Sequence, residues 1–212
     1  ALFLGACLLT KNKEFYPPAL NFNLYFKKLL SNKLFSLIFS VAASFAVVKI
    51  LVNLLNPPFG WDSLNYHFTF PVEWLKSGNL NVPIVIFDDP SPTYYPLNGG
   101  LFYLWLILPF KSVFLADLGQ FPFFIIAVIS VYGISRKIGL SRTYAFYSAA
   151  LFTLIPNFFK QLQVAYVDIM MGSLFLVGVN FLLSLKDKFN LGNALVYGLS
   201  LGLLIGTKTV AL

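Results

Sequence analysis

Long apolar runs separated by short polar stretches organise this chain. Positions of about 34–55, 113–135, 143–159 and 167–185 are dense in Leu, Ile, Phe and Val, and a fifth such run extends from about 191 to the end. A membrane-spanning helix needs roughly 20 mostly apolar residues. The pattern therefore predicts five spans, preceded by "ALFLGACLL", which reads as the cut end of another helix and marks the chain as an internal piece of a longer protein. One run, "LFYLWLILPF" at 101–110, is only about half of span length. It is expected not to cross, and to sit as a re-entrant or interfacial helix buried against protein.

Basic residues punctuate the runs at three connections. Lys11, Lys13, Lys27, Lys28 and Lys33 precede the first span, Arg136, Lys137 and Arg142 lie between the second and third, and Lys186 and Lys188 between the fourth and fifth. The positive-inside rule makes these connections cytoplasmic. Residues 56–111 and 160–168 and the C-terminal end are then extracytoplasmic, and six of the eight acids (Asp62, Glu73, Asp88, Asp89, Asp117 and Asp168) lie in or near them. Acids contribute little to threading, so their gathering on one side points to chemistry. Lys49, inside the first span, is expected to snorkel outward.

Composition agrees with this picture. With 58% hydrophobic and only 11% charged residues, the chain is too apolar for an ordinary soluble domain. Its net charge of +7 sits in short clusters at span ends and makes no stripe for nucleic acid. Cys7 alone excludes an internal disulfide or a cysteine-rich zinc site. Neither a G-x-G-x-x-G nor a P-loop occurs, and no repeat of fixed period is visible.

The segment 56–100 is far longer than a helix connection needs to be. Asp62, Tyr66, Thr69, Glu73 and Lys76 recur at helical spacing, with Leu64, Phe68, Val72 and Leu75 on the opposite face. Pro71 divides this into two short helices and is expected to open the second. They should lie in the membrane interface, apolar side to lipid, with Trp61 and Trp74 at headgroup depth. Asp62 is either the N-cap of this piece or a reactive carboxylate. His67 reads first as a hydrogen-bonded packing residue. Asp88 and Asp89 are turn residues beside Pro90 or, as a carboxylate pair, candidates to hold a divalent metal ion.

Two further ionisable groups stand at membrane entries. Asp168 opens an apolar run, where a helix N-terminus favours negative charge and where such groups also face cavities. Lys208 follows Gly202 and Gly206, which allow close helix packing, and needs an anionic partner: a lipid phosphate, Asp168, or water reached by snorkelling.

In their order and separations, "GWDSLNYHFTFPVEWLKSGNL", "YYPLNGGLFYLWLILPF", "ADLGQFPFF", "AYVDIMMGSLFLVG" and "GLLIGTK" resemble the N-terminal half of the polyprenyl-phosphate-sugar-dependent integral-membrane glycosyltransferases of GT-C fold. That group includes the protein O-mannosyltransferases and the aminoarabinose transferases of lipid A. The resemblance covers roughly residues 34–212. It implies one transmembrane glycosyltransferase domain across 1–212, an all-α polytopic bundle, with a cytoplasmic portion at 1–33 and an extracytoplasmic catalytic loop at 56–100. Such enzymes move a sugar from a polyprenyl-phosphate carrier to a lipid, protein or glycan hydroxyl on the extracytoplasmic side of the cell membrane, with inversion. Asp62 then falls on the first-loop catalytic acid, Asp168 on the second-loop acid, and Lys208 on a lysine that contacts the donor phosphate. Tyr66, His67 and Tyr95 are expected to contact substrate. Many members carry Asp followed by Glu in the first loop, whereas Asp62 here is followed by Ser63. The rival reading is a non-enzymatic transporter or flippase of lipid-linked sugars, which would place its ionisable groups near the bilayer midplane and show repeated halves.

Overall fold

A computed structural model describes residue 27 and residues 30–83, 90–187 and 189–208. Among these the chain is all-helical, without a strand. Three helical stretches are long and apolar enough to cross a membrane: Lys33–Leu55, Ala116–Lys137 and Asp168–Lys186. The chain is thus a membrane protein by the length and composition of its helices.

The first stretch is α1 (Lys33–Leu55), capped by the Asn32 side chain, which accepts from the amides of Leu34 and Phe35. A short turn at Ser63–His67 and α2 (Thr69–Ser77) follow, then α3 (Asn98–Ile107) and a 3-10 turn (Ala116–Gly119) that runs into α4 (Gln120–Lys137). Next come α5 (Arg142–Thr153), α6 (Pro156–Gln161), α7 (Asp168–Asp187) and α8 (Leu191–Ile205).

Five spans were expected and three reach span length. The run at 143–159 is broken because Pro156 follows Ile155, whose backbone is extended (φ −64°, ψ 115°), as a residue before proline prefers. That leaves α5 with 12 residues and α6 with 6. The last run yields 15 residues in α8, about 22 Å at 1.5 Å per residue and short of a hydrocarbon core of about 30 Å. The run at 101–110 does form a short helix: α3 has 10 residues, with Tyr103 and Ile107 fully buried and Trp105 and Leu108 exposed.

Helices α5, α4, α7 and α8 pack in that spatial order, α4 lying between α5 and α7, and α7 between α4 and α8. Small residues set these approaches: a methyl at Gly133 would come within 2.8 Å of Asn180 Oδ1, and one at Gly178 within 3.2 Å of Ser200 Oγ. At that end Lys137 donates to Asn180 Oδ1 at 2.6 Å. Helix α1 lies against α5 through Phe35, which meets Phe146 and Tyr147 edge-on. Its outward side chains, Leu37, Val47, Val48 and Leu51, are exposed, as lipid-facing positions are. Lys49 donates to Gln163 Oε1, in the segment 160–168 toward which it was expected to reach.

The connection after α1 folds into the body of the protein. Phe68, Tyr103, Ile107, Ala116, Ala165 and Val167 form one buried cluster, so Phe68 faces protein and not lipid. Trp74 is 3% exposed and donates from its indole to the Asn81 carbonyl at 2.8 Å, so it too faces protein and not lipid. Pro71 occupies the third position of α2, not the first. Its missing N–H falls among the amides that a helix start leaves unpaired in any case, so it costs nothing there.

Candidate functional site

The site begins at a glycine. Gly60 has φ +103°, and a Cβ there would meet Val164 Cγ1 at 3.0 Å and Tyr166 Cε1 at 3.2 Å. Only glycine combines that backbone with so close a pass, which brings the chain after α1 against the segment before α7. The next residues wind into a π-helical turn, closed by the Phe68 amide donating to Ser63 O at 2.9 Å. Such wide turns displace side chains from the usual register and recur at functional sites.

Asp62 stands at the head of this turn with helical backbone angles and no capping hydrogen bond. The capping role therefore does not account for it. Its carboxylate instead receives the hydroxyl of Tyr66, four residues on, whose pKa is raised by burial first and then by the charge and hydrogen bond of Asp62. The Tyr66 ring lies 4.1 Å from that of His67 and 5.5 Å from that of Tyr95. His67 is 5% exposed, between Tyr66 and Tyr103. Burial, with Lys208 adding to it, lowers its pKa to about 3. The imidazole is thus neutral at ordinary pH and presents a polar, uncharged wall.

Lys208 reaches the same place from the far end of the described chain. Its ammonium pairs with Asp168 Oδ1 at 2.7 Å, and both side chains are about one-third exposed (34% and 32%). Of the partners open to Lys208, the one seen is Asp168. Two contacts fix its approach: the Asn98 amide donates to Gly206 O at 3.0 Å, and Asn98 Nδ2 donates to Leu203 O at 3.2 Å. A Cβ at Gly206 would come within 2.2 Å of Asn98 Nδ2, so the close packing expected of Gly206 holds, whereas Gly202 faces open space.

These elements enclose a cavity of about 270 Å³. Asp62, Tyr66, His67, Tyr95 and Lys208 all line it, and Asp168 joins through its ion pair with Lys208. Every site residue anticipated from sequence and described by the structure is therefore brought to one place. Asp88 and Asp89 lie outside the described residues. Among the described residues no three His, Cys, Asp or Glu side chains gather as metal ligands.

Asn65 and Thr207 also line the cavity without having been singled out, as does Trp61, which was expected only at headgroup depth. Asn65 is 6% exposed and its Oδ1 has no hydrogen-bond partner. Asn65 lies three residues from Asp62 and so on the same helical face as Asp62 and Tyr66, a spacing that could have marked it although it carries no charge. Chemically, the cavity offers an acceptor for a proton (Asp62), an ammonium for an anion (Lys208), and aromatic faces on which a sugar ring can stack. No family model, curated protein or solved structure matches the chain.

Proposed function

We propose that the protein is an integral-membrane glycosyltransferase of GT-C type, which transfers a sugar from a polyprenyl-phosphate carrier to a lipid, protein or glycan hydroxyl. The observation that carries this reading is the meeting of Asp62 and Lys208 in one cavity, with 145 residues between them in sequence. In this reading Asp62 is the general base. It accepts the proton of the incoming hydroxyl as that oxygen attacks the sugar C1 and the C1–O bond to phosphate breaks, with inversion. Phosphate leaves as an anion and needs no acid, only compensating positive charge. Lys208 supplies that charge, and Asp168 holds the ammonium at the cavity between turnovers.

The polarity of the helices supports placing the cavity on the extracytoplasmic side. Helix α4 ends in Arg136 and Lys137 and the spanning part of α7 in Lys186, while their other ends carry Asp117 and Asp168. Basic ends are retained in the cytoplasm, so the cavity, beside Asp168, opens on the opposite face, where a polyprenyl phosphate presents its headgroup. A site at the helix ends also favours an enzyme over a carrier, whose ionisable groups sit near the midplane.

The test compares lipid-linked saccharides and acceptor glycans by mass spectrometry in cells with and without the gene for the full-length protein. Accumulation of one lipid-linked sugar together with loss of that sugar from an acceptor is expected on deletion. Accumulation on the cytoplasmic leaflet alone would speak for a flippase instead.

A further inference from the structure

The motif "ADLGQFPFF" contributes nothing to the cavity, yet it carries Asp117 and Gln120, which are 1% and 0% exposed at the membrane-entry end of α4. Burying a glutamine completely is unfavourable unless its amide is hydrogen-bonded; the Oε1 of Gln120 is, on the segment that presents Asp168, while its Nε2 has no partner among the described residues. Residues 162–167 link α6 to α7 without regular structure, so their backbone groups need partners from elsewhere. Asn53 of α1 donates to Leu162 O at 3.3 Å, and the hydroxyl of Tyr103 of α3 donates to Tyr166 O at 2.6 Å. Gln120 Oε1 accepts from the Met170 amide at 3.2 Å.

The last contact is a helix cap supplied by another element. The first intrahelical amide of α7 is that of Met171, which donates to Val167 O at 2.8 Å. The amides before it need acceptors, and Val167 has no side-chain oxygen to offer. Gln120 fills that place for Met170, two residues beyond Asp168. Tyr103 fixes the backbone two residues before Asp168.

We propose that Tyr103 and Gln120 are positioning residues: gripping the chain on either side of Asp168, they set its carboxylate where it holds Lys208 at the cavity. Neither side chain lines the cavity; Tyr103 also packs its ring on His67, a contact that Tyr103→Phe keeps, so the hydrogen bonds of both residues act through Asp168. The catalytic consequence rests on the glycosyltransferase reading; the effect on the Asp168–Lys208 pair does not. A loosened Asp168 releases Lys208, and a misplacement of about 1 Å is enough to lower turnover by about 100-fold.

The experiment uses the full-length protein in detergent, as wild type, Gln120→Met and Tyr103→Phe, each of which keeps the buried volume and removes one hydrogen bond. Asn180→Leu is the control, because it loosens the α4–α7 contact at the other end of α7. Two readouts need no activity: hydrogen exchange of a peptide covering 166–172, and the rate at which Lys208 is acetylated, followed by mass spectrometry. Gln120→Met and Tyr103→Phe should raise both several-fold, and Asn180→Leu should raise neither. If transfer is found in the wild type, kcat should fall by about 10- to 100-fold in the two variants with donor KM nearly unchanged. Wild-type exchange and acetylation rates in both variants would overturn the proposal. So would an equal rise in Asn180→Leu, which would mean general loosening. A wild type that shows these rate changes but no transfer would remove the glycosyltransferase reading and leave the positioning role standing.

Discussion

Gly206→Ala tests how the cavity is closed. The backbone at Gly206 (φ −75°, ψ −2°) suits alanine, so any effect must come from sterics. The added Cβ would lie 2.2 Å from Asn98 Nδ2 and 2.7 Å from Asn98 Cγ, more than 1 Å inside ordinary contact. Asn98 cannot simply swing away, since its backbone and side chain are both bonded to the end of α8. Overpacking of this kind costs about 1–3 kcal/mol, while replacing glycine lowers the entropy of the unfolded chain and returns about 0.4–1 kcal/mol. The steric term wins, for a net loss of roughly 0.5–2 kcal/mol. At about 2–4 °C per kcal/mol for a chain of this size, Tm should fall by roughly 1–8 °C, measured by tryptophan fluorescence on the full-length protein. Asn98→Ala relieves the clash, so in a double-mutant cycle the two changes should couple favourably by at least about 0.5 kcal/mol. A Tm that is unchanged or raised in Gly206→Ala, or strict additivity with Asn98→Ala, would refute the proposed packing.

Other consequences are open to direct measurement. Asp62→Asn should reduce transfer by about 10²- to 10⁴-fold and leave Tm within about 1 °C, because Asp62 makes no capping bond; a large Tm drop would restore the cap. His67 has a folded pKa of about 3 against an ordinary 6.5. The unfolded chain therefore binds the extra proton between those values, and the stability His67 confers is complete above pH 6.5 and lost as pH falls toward 3. His67→Gln should flatten the Tm–pH curve in that window and leave it unchanged above it. Lys208→Met should raise the donor KM and lower kcat, and it should also lower Tm, since Asp168 loses the ion-pair partner it has in this structure; a Tm change with donor kinetics intact would end the phosphate role. Asp117→Asn should be neutral or stabilising in thermal unfolding, because Asp117 is buried with no cationic side chain among the described residues paired to it, and the amide removes the cost of a buried carboxylate at nearly constant volume.

The grouping of ionisable side chains was more legible in this sequence than the lengths of the spans. Asp62, Asp168 and Lys208 stood out because an ionisable group beside an apolar run requires a reason, and the structure brings all three to one site. Span lengths were less legible. Periodicity cannot register that Ile155 turns extended before Pro156, so the run at 143–159 looked continuous. The loop helices were misplaced for a related reason: the spacing of Phe68 and Trp74 shows that they share an apolar surface with their neighbours, but protein and lipid accept such surfaces equally well. The burial of Phe68 depends on Tyr103 and Val167, distant in sequence, and Trp74 packs against Phe70 and the backbone of Gly100. Lys49 and Gln120 make the same point, since their partners, Gln163 and Met170, lie 114 and 50 residues away.

The central claim is that Asp62 and Lys208 form a working site for sugar transfer from a lipid phosphate. Its most direct measurement supplies purified full-length protein, in nanodiscs, with a panel of synthetic polyprenyl-phosphate sugars. Release of free polyprenyl phosphate is followed by mass spectrometry in wild type and Asp62→Asn, with a membrane extract as acceptor source. Acceptor-dependent release from one of these donors is expected of the wild type, reduced at least about 100-fold in Asp62→Asn. Equal release by the two proteins, or movement of intact donor between leaflets with no release by either, would contradict it.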